Sequence, residues 1–251
     1  MSDSSVKGRP PSCVCGGEGE GGRSSSSSSS TTTSSPSSTT STIATTATTI
    51  EDLPLLKVST AQFENKSNDK QYNLSVIEGL SRRASAQGSM VIAFHECSIT
   101  GYTFARNLSR EELFAVAEVI PSGDSTQRLI EIARSCNIAI LAGLFEKNEE
   151  GTEVYKAYIC VDKTGLVAKY RKLHPFINPN ITPGNSYCVF DLHGWKCGIL
   201  ICYDNNVIEN VRATALLGAQ VIFMPHVTMC TPSTRPGAGF VDPRLWDNRE
   251  R

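Results

Sequence analysis

The chain has 251 residues, a formal charge of −1 and no basic block, which argues against nucleic acid or an anionic membrane as its main partner. Its hydrophobic content of 39% falls almost entirely after residue 50, so the remainder can build a sizeable core in one large domain or two small ones. No apolar run approaches the roughly 18 residues that a bilayer-spanning helix needs.

In chain order, residues 1–50 are rich in Gly, Ser and Thr, including the tract Ser24 to Ser30, and cannot bury enough apolar surface to offset their ordering entropy. They are expected to be a disordered extension. Met1-Ser2-Asp3-Ser4 lacks the apolar core of a secretory signal, and arginines are too sparse for a typical transit peptide. The nine cysteines sit mostly inside apolar segments, a pattern that fits reduced thiols and a cytoplasmic location, with an organelle as the alternative if the Ser/Thr tract is a transit peptide. Cys13-Val14-Cys15 is the only close pair; with no second pair and no nearby histidines it is not read as a metal site.

Order is expected from Leu55. Lys57 to Phe63 reads as a strand. Asp69 to Gln87 reads as a helix with Tyr72, Val76, Ile77, Leu80 and Ala84 on its inner face. Met90 to Phe94 is a short apolar strand that runs into His95-Glu96-Cys97. Helices are expected over Glu111 to Ile120 and over Ser125 to Cys136, the latter burying Leu129, Ile132, Ala133 and Cys136. Ile138 to Phe145 is a third apolar strand. Glu153 to Val161 and Leu166 to Lys172 form a hairpin around the turn Asp162-Lys163-Thr164-Gly165. A Pro- and Asn-rich loop follows, then two strands around His193-Gly194, a helix from Val207 with Gly218 as its stop, and a strand over Gln220 to Met224. Strands and helices alternate, so the fold class is α/β. There is no G-x-G-x-x-G and no P-loop, hence no nucleotide signature.

The stretch Gly198 to Asn206 is the most informative. An apolar strand runs into Cys202-Tyr203-Asp204, and a helix pattern with Ile208, Val211 and Ala215 at helical spacing begins soon after. A thiol between a strand and a helix is expected to meet exposed N–H groups and the positive end of the helix dipole, which favour a thiolate. Cys202 is therefore the candidate nucleophile. Glu96 and Lys172 also interrupt or end apolar segments. A carboxylate, an ammonium and a thiol, each costly to bury alone, offset one another together and can perform acyl transfer: the thiol attacks a carbonyl, the carboxylate moves protons, the ammonium stabilises the oxyanion. Asp204 is expected to hold the turn beneath the nucleophile, and Asn206 with Glu209 to form a capping-box variant.

Phe94-His95-Glu96 with Thr100-Gly101-Tyr102, Tyr170-Arg171-Lys172-Leu173-His174, and Gly198 to Asp204 resemble, in order and spacing, the three signature segments of the nitrilase superfamily of carbon–nitrogen hydrolases. The resemblance covers Leu55 to Arg251. It implies a four-layer α-β-β-α sandwich and a triad of Glu96 as general base, Lys172 as oxyanion stabiliser and Cys202 as thioester-forming nucleophile. It also implies the Tyr203 N–H as a second oxyanion donor, no metal or organic cofactor, and a homo-oligomer; Tyr102, in the first segment, is a candidate substrate contact, as is His226, which follows the strand end at Met224-Pro225 on the rim where Cys202 lies, with a surface histidine as its alternative. Cys-Tyr-Asp at 202–204 looks more like the amidase and carbamoylase branches than the true nitrilases. The expected substrate is thus a small amide or N-carbamoyl compound, with a nitrile, or a silent relative serving binding or assembly, as the alternatives.

Two departures stand out. Many family members carry a further glutamate in the loop after the lysine, where this chain has Phe176-Ile177-Asn178-Pro179-Asn180 and no acid; Asn178 or Asn180 would have to replace it by hydrogen bonding. Family domains also continue beyond the last strand with a helix, further strands and a tail, whereas this sequence reaches Arg249-Glu250-Arg251 within what reads as a helix opening at Asp242-Pro243. The resemblance therefore leads us to expect a sandwich incomplete at its C-terminal end, and a chain unstable by itself.

Overall fold

The computed structural model describes residues 54–227. The Ser/Thr-rich tail, Cys13, Cys15 and the expected helix at Asp242 lie outside the described residues. Five strands form the first sheet in sequence order: β1 (Val58–Ala61), β2 (Val91–Phe94), β3 (Ala139–Lys147), β4 (Val154–Asp162) and β5 (Gly165–Arg171). β1, β2 and β3 are parallel, and β3–β4–β5 is an antiparallel meander. The second sheet has the order β6 (Cys188–Leu192), β7 (Trp195–Ile199), β8 (Val221–Phe223), antiparallel and then parallel. The helices are α1 (Lys70–Ala86), α2 (Arg110–Val116), α3 (Asp124–Cys136) and α4 (Ile208–Leu216).

The layering follows from the period-two alternation of the strands. In the first sheet Ile92, Phe94, Ile140, Ala142, Ile159 and Val161 point one way and pack under Leu74, Ile77 and Ala84 of α1 and Leu129, Ile132 and Ala133 of α3. The alternate residues Val91, Ala139, Leu141, Tyr158, Cys160 and Tyr170 face Phe190, Leu192, Cys197, Ile199 and Phe223 of the second sheet. On the outer side of that sheet α4 lies so close to β7 that a Cβ on Gly198 would sit 2.5 Å from Thr214 Cγ2. The order is helices, sheet, sheet, helix: the α-β-β-α sandwich.

Three local expectations need correction. The buried face of α1 is Asn73, Leu74, Ile77, Ser81 and Ala84, while Tyr72 is exposed. The helix is turned because the Asn73 amide is drawn inward to donate to the carbonyls of Lys66 and Ile99, each at 2.8 Å. α2 stops at Val116, well short of Ile120, because the Glu118 N–H leaves the helix to bond the Phe145 carbonyl at 3.0 Å and extend the sheet edge. α4 has no side-chain cap from Asn206: Val207 is the extended N-cap, and Asn210 and Thr214 form its buried face, with Ile208 and Ala215 exposed.

Candidate active site

Glu96, Lys172 and Cys202 each follow the end of a strand, and the fold brings these three ends together. Glu96 lies two residues beyond β2 in a turn pressed onto β3. The Ile99 N–H bonds the Gly143 carbonyl at 3.0 Å, and a Cβ on Gly143 would approach the Cys97 nitrogen to 2.5 Å, so the turn needs a glycine beneath it. Lys172 is the first residue past β5, its N–H bonded to the Lys156 carbonyl and its own carbonyl to the Gly184 N–H, both at 2.8 Å. Cys202 opens a 3-10 segment, Cys202–Asn206, with φ of +51° and its N–H donating to the Pro225 carbonyl at 2.9 Å. A β-substituted residue in that left-handed region is strained, and the turn is held by the groups around it.

Asp204 is the main brace. Fully buried, it accepts the Tyr170 hydroxyl at 2.8 Å and the backbone N–H groups of Leu173 at 3.2 Å and His174 at 2.8 Å. It therefore ties the Cys202 turn to the segment that carries Lys172. Burial and the adjacent Asp204 charge together push the Tyr170 phenol far above its ordinary range.

At the centre, Glu96 Oε1 accepts from Lys172 Nζ at 2.8 Å and from Lys156 Nζ at 3.1 Å, while Oε2 accepts from the Val227 N–H at 3.3 Å. Burial pushes the Glu96 carboxyl up, but the charges and hydrogen bonds of Lys156 and Lys172 outweigh it and hold the group below its ordinary value. The Cys202 thiol is raised by burial and then by the charge of Glu96, with Lys172 and the Tyr203 N–H pulling it back. The resting site is thus a carboxylate beside a protonated thiol. This corrects the expectation of a dipole-stabilised thiolate: α4 begins only at Ile208, after the 3-10 segment, and burial, followed by the charge of Glu96, raises the thiol.

Cys202 opens into a cavity of about 730 Å³ lined by Tyr102, Arg106, Phe176, Tyr203 and His226, among others. A volume of that size suits a small organic ligand. A separate cavity of about 510 Å³ between the ends of β1, β2 and β8 contains His95 and His226 but none of Glu96, Lys172 and Cys202. His226 Nε2 lies 2.7 Å from Asn205 Nδ2, which fixes its ring at the rim. The His174 ring meets Tyr203 edge-on, with ring centroids 6.1 Å apart.

Asn178 does not enter the cavity. Its amide donates to the carbonyls of Ala105 and Leu108, each at 2.8 Å, and its oxygen accepts the Asn180 N–H, so it anchors the loop. Lys156 escaped the sequence reading, although the signal was there: it is the single charge inside the apolar run Val154 to Val161. Arg106, which lines the cavity, gave no such signal, being one polar residue of a loop.

A family model described as carbon-nitrogen hydrolase matches residues 57–238. The chain belongs to the carbon-nitrogen hydrolase family. Among its relatives, a protein named nitrilase from Pyrococcus abyssi is 36% identical over 174 residues, 68% of this chain and 64% of that one. An omega-amidase of Bos taurus is 31% identical over 171 residues, 63% of this chain and 59% of that one. The chain therefore spans less than two thirds of the length of these relatives. The amidase from Nesterenkonia sp. AN1, solved as a mutant after Michael addition of acrylamide at its active-site cysteine, superposes with a TM-score of 0.60 at 25% identity, over 73% of this chain and 72% of that one. The four-layer carbon-nitrogen hydrolase sandwich inferred from the signature segments is the fold found.

Proposed function

We propose that this carbon-nitrogen hydrolase cleaves a small amide or N-carbamoyl compound through a thioester on Cys202. The observation that carries the reading is Glu96: an ionised carboxylate, 1% exposed, held by Lys172 and electrostatically coupled to the Cys202 thiol. Glu96 takes the Sγ–H proton as sulfur attacks the carbonyl carbon. The oxyanion is met by Lys172 and the Tyr203 N–H, the latter close enough to the sulfur to lower its pKa. Glu96 returns the proton to the leaving nitrogen, which departs as ammonia or an amine, leaving an acyl thioester. A water then gives a proton to Glu96, attacks the thioester, and expels the thiol, which recovers that proton. The Nesterenkonia amidase, modified at its active-site cysteine, supports the sulfur chemistry.

A nitrile is the second reading, favoured by the name of the Pyrococcus relative. Incubating the purified chain with a panel of primary amides, N-carbamoyl amino acids and nitriles while assaying ammonia separates the two. The expected result is release from amides or carbamoyl compounds in excess of nitriles; release from nitriles alone contradicts it.

A further inference from the structure

Lys156 is a second buried ammonium on the oxygen that Lys172 already holds. It stands on β4 directly across from Lys172, and both side chains are 0% exposed. Two like charges facing each other across a strand pair are destabilising unless something compensates them. The compensation is one carboxylate, so the buried trio of Glu96, Lys156 and Lys172 carries one positive charge in excess. Lys156 also lies 4.1 Å above the centroid of the Tyr102 ring, which fixes its direction.

We propose that Lys156 is a positioning residue for the reaction assigned above: it shares Glu96 Oε1 with Lys172, so that the buried carboxylate is kept ionised and fixed in place to take the thiol proton. With Lys172 alone, Glu96 would lose its holding partner as that ammonium turns to the oxyanion, at the stage when Glu96 carries the thiol proton it must pass to the leaving nitrogen. With Lys156 in place, Glu96 keeps a partner throughout the cycle. The groups facing Glu96 are Lys156 from β4, Lys172 beyond β5, Cys202 from the 3-10 segment, and His95, Cys97 and Tyr102 from its own stretch of chain. Against the effect of burial, the charges and hydrogen bonds of Lys156 and Lys172 together keep the carboxylate ionised.

The inference rests on the proposed hydrolase reading, so the test includes a measurement independent of turnover. Lys156→Met removes the charge at similar length, Lys156→Gln removes it but keeps a donor for Oε1, and Lys156→Arg keeps it. For each full-length variant, the pH dependence of Cys202 alkylation by iodoacetamide is followed by peptide mass spectrometry, alongside kcat and KM for an amide the wild type hydrolyses. The charge-free variants should move the acid limb of both profiles up by about one pH unit and lower kcat about 10- to 100-fold with KM within threefold, while the arginine variant recovers the limb. An unmoved limb in either charge-free variant, or an arginine variant that behaves like the methionine one, overturns the proposal. If the wild type turns over no amide, the hydrolase reading fails, and the role of Lys156 toward Glu96 is still decided by the alkylation profile.

Discussion

Lys156 and Lys172 are neighbours across β4 and β5, joined by a backbone hydrogen bond of 2.8 Å, and both reach the same oxygen of Glu96. Antiparallel pairing puts side chains of directly opposed residues on one face of a sheet, so the pairing itself delivers both ammonium groups to one point. The carboxylate that meets them comes from the parallel half of the sheet, which makes the site a product of the whole five-stranded layer.

Glu96→Gln leaves two buried ammonium groups without a counter-charge and removes the proposed base. Turnover should fall about 10³-fold. Chemical denaturation should show a loss of about 3–5 kcal/mol, the usual cost of stranding a buried charge.

Lys172→Met should behave differently. Glu96 keeps Lys156, so the fold should survive. Loss of the proposed oxyanion partner should lower kcat about 10²- to 10³-fold, read by steady-state kinetics, while Cys202 remains open to alkylation.

Stability should fall in acid with a sign fixed by the lowered carboxyls. Glu96 is held down by Lys156 and Lys172 against the effect of burial, and Glu118 likewise by Lys70 and Ser125. Each stabilises the folded state fully above the unfolded carboxyl value of about 4.3 and loses that contribution as pH falls through its lower folded value. Urea unfolding between pH 7 and pH 3 should show midpoints declining only below about pH 5, and Glu118→Gln should flatten the decline.

The brace can be tested apart from the chemistry. Tyr170→Phe removes one donor to the buried Asp204 and should cost about 1–2 kcal/mol in denaturant titration with modest kinetic effect. Asp204→Ala also releases the Leu173 and His174 N–H groups and should lower kcat as well, because Lys172 and the Cys202 turn lose their common tie.

Much of this was legible in the chain. Apolar runs ending in a lone polar residue marked Glu96, Lys172 and Cys202, since a sheet interior tolerates such residues only at its rim or in pairs. The hairpin at Asp162 to Gly165 and the stop at Gly218 were equally plain from turn chemistry. The amphipathic faces of α1 and α4 were not, because polar Asn73, Asn210 and Thr214 are buried through hydrogen bonds that periodicity does not register. The protonation of Cys202 was misread for a related reason: sequence shows a helix nearby but neither the burial nor the carboxylate that raise the thiol. Lys156 was visible as a charge in an apolar strand, yet its partner is 60 residues away.

The most direct measurement is intact-mass and peptide-mapping analysis of the chain quenched during turnover of a hydrolysed amide, with Cys202→Ala as the control. The account predicts an acyl adduct of substrate mass less ammonia or amine on Cys202, and neither adduct nor turnover in the control. Ammonia release that persists in Cys202→Ala, or an adduct mapped to another cysteine, would contradict it.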